Sequence, residues 1–247
     1  MRLLLVNPNM TVAMTERMAA IARATVGDRA EIVPLTATRG FPYIASRAEA
    51  QIAGGIALEM IAENLDGIDA VVIAAFGDPG LMGARELFDL PVVGMAEAAV
   101  MSAAMMGERF SIVTFSPLMT RWYADCVAAT GLGGRFTGVC TPAAREVDVA
   151  RVRSDLRDDL VALANRAVTE QGADVVILGG APLAGLAPEI AAEVQAPVID
   201  PIAAATAQAM TLAGLGGRFA GRACKPAGKS AIGLAPALAR AIAMEVR

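Results

Sequence analysis

Short runs of β-branched and aliphatic residues alternate along this chain with longer Ala-rich segments whose apolar residues recur at helical spacing. The short runs end at Gly, Pro, Asn or Asp, which is typical of buried strands. The longer segments predict helices, because their apolar positions recur every three to four residues. The predicted helices span Met14 to Thr25, Ala48 to Asn64, Leu118 to Thr130 and Asp148 to Glu170, with a final helix near Pro236 to Glu245.

The chain contains an internal repeat. Three segments recur in the same order 105 to 107 residues later, and the paired segments begin at Arg2 and Arg109, at Gly67 and Gly172, and at Leu90 and Ala196. Such self-similarity indicates a duplicated structural unit. The repeat predicts a third strand in each half, beginning near Asp69 and Asp174, and a fourth strand in each half, at Val92 to Met95 and Val198 to Asp200.

Strands that alternate with helices predict parallel sheets with right-handed crossovers. We therefore expect an α/β fold with two pseudo-symmetric, doubly wound parallel-sheet domains. Residues 1–100 together with 208–247 form the first predicted half, and residues 101–207 form the second, so the break falls in the predicted helix Glu97 to Met106. We expect the tail to pack back on the first half and its Gly- and Arg-rich segment, 214–228, to be a surface loop.

The predicted ligand site lies where the carboxyl ends of the strands meet. Ligands of open parallel sheets bind outside these ends, and pockets commonly form between domains, so we expect one cleft between the halves. The glycines and prolines of these loops have an alternative role, since tight strand-to-helix turns also require them. The predicted binding residues are Asn7, Ala75, Phe76, Gly77, Thr114, Phe115, Gly180, Ala181, Pro182 and Arg47.

Four side chains are candidates for catalysis: Asp78, Tyr43, Thr114 and Ser116. A helix N-terminus next to Asp78 would stabilise its charge and make it a weak base, and helix capping is the alternative role. Tyr43 lies in a loop that we expect to cover the cleft.

Four polar residues, Ser46, Arg47, Glu97 and Asp200, are considered near the predicted cleft. Ser46 and Arg47 are expected to reach a polar ligand from the loop that contains Tyr43, although Arg47 could instead be a surface residue of the next helix. Glu97 is expected either to point towards the cleft or to stabilise the first turn of its helix, and Asp200 is its approximate counterpart in the second half.

Composition and charge narrow the possible partners. The chain has 247 residues, of which 55% are hydrophobic and 19% charged, enough to form a core without disulfides. Its net charge of −4 gives no reason to expect nucleic acid or an anionic membrane surface as a partner. No apolar run approaches the roughly 18 residues of a spanning helix, and the first run is too short for a signal peptide. We expect a cytoplasmic homo-oligomer that binds a small molecule.

The chain has no histidine and three cysteines, without a CxxC pair. These facts exclude a Ser-His-Asp triad and argue against zinc sites and disulfides, so we expect no metal and no cofactor. Cys126 in a helix and Cys140 near a strand end are expected to be core residues, and Cys224 to lie in the tail loop. The methionines of one predicted helix, Met101, Met105 and Met106, are also expected to be core residues.

Several motifs resemble those of hydantoin racemases, which belong to the aspartate/glutamate racemase superfamily. The motifs are VNPNMT at 6–11, FGDPG at 76–80, VGMAEA at 93–98 and VID at 198–200. The resemblance runs through most of the chain and includes the duplication. It implies two pseudo-symmetric α/β domains with the active site between them.

The same resemblance implies a pair of catalytic cysteines on opposite faces of the substrate carbon. One thiolate removes the α-proton, and the other thiol returns a proton from the far side; thiols suit this task near neutral pH. The motifs place the first cysteine directly before FGDPG, where this chain has Ala75, and the second after Leu-Gly, where it has Gly180. Neither alanine nor glycine can transfer a proton.

These observations leave several functions open. The first is an enzyme of this superfamily that acts on a small carboxylate or a hydantoin-like cyclic amide by shifted chemistry, such as that of a hydrolase, lyase or other isomerase. The second is a non-catalytic relative that keeps the pocket. A third is an engineered, cysteine-free variant of a hydantoin racemase.

Overall fold

The computed structural model describes residues 1–143, 148–216 and 227–244, so Cys224 and most of the predicted tail loop lie outside the described residues. Strands and helices alternate along most of the chain. The strands are β1 (Arg2–Asn7), β2 (Glu31–Thr36), β3 (Ala70–Ile73), β4 (Val92–Gly94), β5 (Phe110–Val113), β6 (Phe136–Cys140), β7 (Val175–Leu178) and β8 (Val198–Ile199). The helices are α1 (Val12–Val26), α2 (Arg47–Glu63), α3 (Leu81–Leu87), α4 (Met95–Met106), α5 (Thr120–Ala129), α6 (Val152–Asp155), α7 (Arg157–Gln171), α8 (Ala187–Ile190), α9 (Pro201–Gly214) and α10 (Pro236–Ala243).

The strands form two four-stranded sheets in which every described pairing is parallel. Their orders are β2-β1-β3-β4 and β6-β5-β7-β8, so the two sheets have the same topology. The central strands β3 and β7 are buried along their whole length, as expected for strands covered by helices on both faces. The predicted α/β fold with two parallel sheets is therefore confirmed.

The repeat is visible in individual hydrogen bonds. The backbone N–H of Arg2 donates to Oδ2 of Asp69 at 2.8 Å, and the N–H of Arg109 donates to Oδ2 of Asp174 at 2.9 Å. In each pair the aspartate returns a bond, because its own N–H donates to the arginine carbonyl at 2.9 Å. The two halves thus fix the start of the central strands in the same way.

The helices after the fourth strands pack on the opposite sheets. Helix α4 follows β4 of the first sheet and packs against β7 and β8, while α9 follows β8 of the second sheet and packs against β3 and β4. The two helices also contact each other, since Nε2 of Gln208 donates to the carbonyl of Ala98 at 2.8 Å. Because α4 and α9 each pack on the sheet of the other half, the division into 1–100 plus 208–247 and 101–207 stays a prediction. Helix α10 packs against α2, in the first half.

Two local predictions are wrong. The predicted helix Asp148 to Glu170 is divided into α6 and α7, because Leu156 leaves the helical conformation with ψ at 8° and is buried. Met105 and Met106 do not lie in the core as predicted, because 88% and 56% of their surface is exposed to solvent. Alanines form most of the buried face of α4, and these methionines lie at its far end. Within the described ranges, no helix combines the length and apolarity needed to cross a membrane.

Candidate functional site

The loops at the carboxyl ends of β3 and β5 bring the two halves into contact. Phe76, which follows β3, packs on Tyr123 of α5 with 4.6 Å between ring centroids. Tyr43, from the segment between β2 and α2, lies 6.1 Å from Phe115, which follows β5. These aromatic residues, together with Ala75 after β3 and Gly180 after β7, are called the strand-end region below.

Ala75 and Gly180 are equivalent positions of this region. The preceding residues, Ala74 and Gly179, each donate their N–H at 2.8 Å to a carbonyl near the end of the adjacent strand, β1 or β5. Ala75 is only 6% exposed, and Gly180 is buried with a φ of +121° that side-chain-bearing residues rarely adopt.

The hydroxyl of Tyr123 lies beside the missing side chain of residue 180. A Cβ atom built on Gly180 would be 3.4 Å from Oη of Tyr123 and 3.3 Å from Cε1 of Phe115. Sequence reasoning missed Tyr123, because its helix is predictable but the face of that helix towards Gly180 depends on tertiary packing. The sequence indicates only that Tyr123 lies one turn before Cys126, in the predicted helix that follows the β5 loop.

Hydroxyl groups are the polar side chains closest to this position. Thr114 donates through Oγ1 to the carbonyl of Gly179 at 2.7 Å. Burial, and then the proximity of Tyr43, raises the pKa of Tyr123. Burial and the charge of Glu49 raise the pKa of Tyr43. Both phenols therefore stay protonated near neutral pH and can donate hydrogen bonds.

The other binding and catalytic residues predicted at these strand ends mainly make contacts within their own loops. Nδ2 of Asn7 donates to Oδ1 of Asn9 at 3.0 Å and to Oγ1 of Thr15 at 2.9 Å. The hydroxyl of Ser116 accepts from the N–H of Leu118 at 3.4 Å. The turn after Gly180 buries both Ala181 and Pro182. Direct ligand contacts of these residues stay a prediction.

Asp78 caps a helix, which is the alternative role that the sequence indicates for it. Its two carboxylate oxygens accept from the N–H groups of Ala96 and Glu97, each at 2.8 Å, so it caps α4 instead of the helix that follows it in sequence. Burial, which outweighs these bonds, raises the pKa of Asp78 to about 7. Burial thus opposes the stabilisation of the charge that the helix N-terminus provides. The backbone at Asp78 has a φ of +50°, inside the tight turn that leads to Gly80.

Three polar residues expected near a ligand are engaged elsewhere. Arg47 forms an ion pair with Asp125 of α5, which links the first half to the second. Glu97 does not extend to the strand-end region, because it pairs with Arg85. Asp200 caps α9 by accepting from the N–H groups of two residues in the first turn, at 2.9 and 3.2 Å.

The hydroxyl of Ser46 is also occupied. It caps α2 by accepting from the N–H of Glu49 at 3.2 Å. The carboxylate of Glu49 accepts in turn from the N–H of Ala45, the residue before the cap, at 2.5 Å. The start of α2 next to Tyr43 is therefore held firmly in place.

A cavity of about 590 Å³ opens beside the strand-end region, between α2 and α5. We call it the side cavity. One face of each helix forms a wall, and the loop after β3 contributes to its lining, as do Arg47, Asp78 and Glu97. Trp122 lines this cavity, whereas the next residue, Tyr123, contacts Phe76 in the strand-end region. Neither Ala75 nor Gly180 lines it.

The two described cysteines do not substitute for thiols at Ala75 and Gly180. Cys126 is partly buried in the wall of the side cavity, where burial, and then the charges of Asp78 and Asp125, raises its pKa to about 12. Its sulfur is therefore a thiol at neutral pH. Cys140 is buried and its Sγ donates to Oε1 of Gln171 at 3.4 Å, so the predicted core position is confirmed. In the described part of the chain, no group of three or more acidic or thiol side chains is arranged to hold a metal ion.

Comparison with known families gives the same assignment as the fold. A family model described as Asp/Glu/hydantoin racemase matches residues 3–209. The chain belongs to this family. A hydantoin racemase of Paenarthrobacter aurescens is 34% identical over 218 residues, which cover 87% of this chain and 92% of that protein.

Solved structures of the family have the same architecture as this chain. The crystal structure of an allantoin racemase from Pseudomonas fluorescens superposes with a TM-score of 0.87 at 31% identity, covering 94% of this chain and 100% of that one. An allantoin racemase from Klebsiella pneumoniae gives 0.86 at 33% identity, with 94% and 96% covered. The resemblance inferred from the sequence motifs is thus confirmed.

Proposed function

We propose that this chain acts on a small carboxylate or a hydantoin-like cyclic amide by chemistry other than two-thiol racemisation. The observation that carries the proposal is the pair Ala75 and Gly180, at equivalent strand ends where the family resemblance implies thiols. Relatives named hydantoin and allantoin racemases support a cyclic-amide substrate class. Hydrolase, lyase and isomerase reactions without thiol-mediated proton transfer fit this assignment.

The hydroxyls of Tyr123, Tyr43 and Thr114 are the groups we assign to this chemistry. Tyr123 has the strongest support, because its Oη lies within 3.4 Å of the Cβ position of residue 180. A protonated phenol at that place would donate a hydrogen bond to oxygen that gains negative charge in the reaction, which stabilises the transition state. Asp78 and Ser116 are weaker candidates, since both accept backbone hydrogen bonds.

A non-catalytic binding protein is the second candidate function. It is favoured by the raised pKa values of both tyrosines, which leave no base among the hydroxyl groups around Gly180.

The deciding experiment incubates the protein with enantiopure hydantoins, allantoin, aspartate and glutamate in deuterated water and follows the α-proton and all products by NMR. We expect no α-deuterium exchange above the protein-free control. Product formation that Tyr123→Phe abolishes, with binding retained, would identify the enzyme. A saturable rise in melting temperature without product would identify the binding protein. Racemisation, or neither turnover nor binding, would contradict the proposal.

Cysteine restoration tests the two positions separately. Ala75→Cys introduces a thiol at an ordinary backbone position, whereas Gly180→Cys requires the loop to adjust, so Gly180→Ala serves as its control for folding. A folded double cysteine variant that exchanges α-protons would support the assigned positions. An inert but folded double variant would count against them.

We also propose that the protein is a cytoplasmic homo-oligomer. The exposed methionines at the end of α4 support association, since large exposed apolar side chains in a cluster often mark an interface. Light scattering of the purified protein tests this proposal, and a monomer at all concentrations would contradict it.

A further inference from the structure

Two neighbouring aromatic residues of α5 pack on glycines of both halves. A Cβ atom built on Gly77, in the loop after β3, would lie 2.2 Å from Cζ2 and 2.6 Å from Cε2 of Trp122. A Cβ atom built on Gly179, which follows β7, would lie 2.9 Å from Cε2 of Tyr123. Real Cβ atoms do not approach other atoms so closely, so each ring fills the space that a side chain at the glycine would need.

The contact between Trp122 and Gly77 lies in the turn that carries Ala75. Gly77 has a φ of +111°, which glycine adopts far more readily than other residues. In the same turn the N–H of Asp78 donates to the carbonyl of Ala75 at 3.0 Å. The side chain of Trp122 is buried, since the residue is only 8% exposed. The indole therefore packs from α5 onto a turn of the first half.

Tyr123 makes the corresponding contact with the second half. Its Oη lies 3.4 Å from the Cβ position of Gly180, and its ring also packs on Phe76, with 4.6 Å between the ring centroids. Consecutive residues of a helix have a fixed offset. The contacts of Trp122 and Tyr123 together therefore set the separation between the loop after β3 and the loop after β7.

We propose that Trp122 is a positioning residue of the strand-end region, which acts through Gly77 to hold Ala75 at a fixed separation from Gly180. This role rests on the proposed function, because a ligand between these two positions needs both loops in place. Loss of the indole should act on one side only. It frees the loop after β3 and leaves Tyr123 beside Gly180.

Hydrogen exchange followed by mass spectrometry tests this one-sided effect without a ligand. We expect Trp122→Leu to speed exchange about tenfold in residues 76–81 and to leave residues 179–185 unchanged. The control is Phe136→Leu, which removes a ring that packs on Phe110 at the opposite edge of the sheet and should change neither loop. Unchanged exchange at 76–81 in a folded Trp122→Leu protein, or equal acceleration of both loops, would overturn the proposal.

A second variant tests the contact with the indole in place. Trp122 is the only tryptophan of the chain, so its fluorescence reports on its surroundings directly. Gly77→Ala should displace the indole and increase its quenching by acrylamide about twofold. Gly27→Ala is the matched control, because Gly27 also has a positive φ but its Cβ position has no neighbour within 4 Å. Identical quenching in the wild type and Gly77→Ala would refute the contact.

Titration calorimetry with allantoin and hydantoin separates this role from the proposed function. Where the wild type binds either probe, Trp122→Leu should weaken binding about tenfold and Phe136→Leu should not. Binding that Trp122→Leu leaves unaltered would contradict the positioning role. If the wild type binds neither probe, the proposed function loses support, and the exchange and fluorescence results decide the role of Trp122 by themselves.

Discussion

Two consecutive glycines in the interior of α2 lead to opposite expectations for the same substitution. Gly54 is buried, and a Cβ atom there would lie 2.9 Å from the backbone nitrogen of Gly80 and 3.2 Å from its Cα. Gly55 is exposed, and its Cβ position has no neighbour within 4 Å. Replacement by alanine restores about 1 kcal/mol of helix propensity at either position.

The close approach to Gly80 decides the difference between the two variants. Overpacking against rigid neighbours costs about 1–3 kcal/mol, and backbone atoms cannot rotate out of the way. We therefore expect Gly55→Ala to raise the free energy of unfolding by about 1 kcal/mol. For Gly54→Ala the two effects combine to between no change and a loss of about 2 kcal/mol.

Urea-induced unfolding of the wild type and both variants, followed by circular dichroism, measures this difference directly. The two variants should differ by about 1–3 kcal/mol, with similar slopes against urea concentration. A Gly54→Ala protein as stable as Gly55→Ala would show that α2 does not approach the loop after β3 closely.

Three further substitutions test individual contacts. Because the folded pKa of Asp78 is raised from 3.8 to about 7, the folded state binds more protons between these values, so stability should fall as pH rises from about 4 to about 7. Asp78→Asn should remove that fall in urea unfolding at pH 4.5 and pH 8, and parallel losses in both proteins would contradict the assignment. Asp200→Ala removes the cap of α9 and should cost about 1–2 kcal/mol, whereas Asp200→Asn should retain most of the stability. Among the described residues, the buried Oγ1 of Thr206 has no hydrogen-bond partner, so Thr206→Val should stabilise the protein by about 1 kcal/mol in a thermal melt; a loss of stability would indicate an unseen partner.

Features encoded in short stretches of sequence were predictable. The third strands after Asp69 and Asp174 are aliphatic runs that end at turns, and the spacing of the repeat is enough to make Ala75 and Gly180 equivalent positions. The interruption at Leu156 was not predictable, because the helical spacing of apolar residues continues through it.

Partners of polar side chains could not be predicted in the same way. Asp78 caps α4, eighteen residues later in the chain, although the helix directly after it is nearer in sequence. Arg47 pairs with Asp125 in the other half, and Tyr123 reaches Gly180. Each of these contacts depends on how elements pack in three dimensions, and burial then sets the pKa of Asp78 against the direction expected from a helix terminus alone.

The exchange of α4 and α9 between the sheets has an evolutionary consequence. A single ancestral half would have had to place its last helix on the sheet of a second copy, so it would have been an obligate domain-swapped dimer. In such a dimer the residues at positions 75 and 180 were one and the same residue, present once on each subunit. In a single chain the two positions are free to differ, and here they are alanine on one side and glycine on the other.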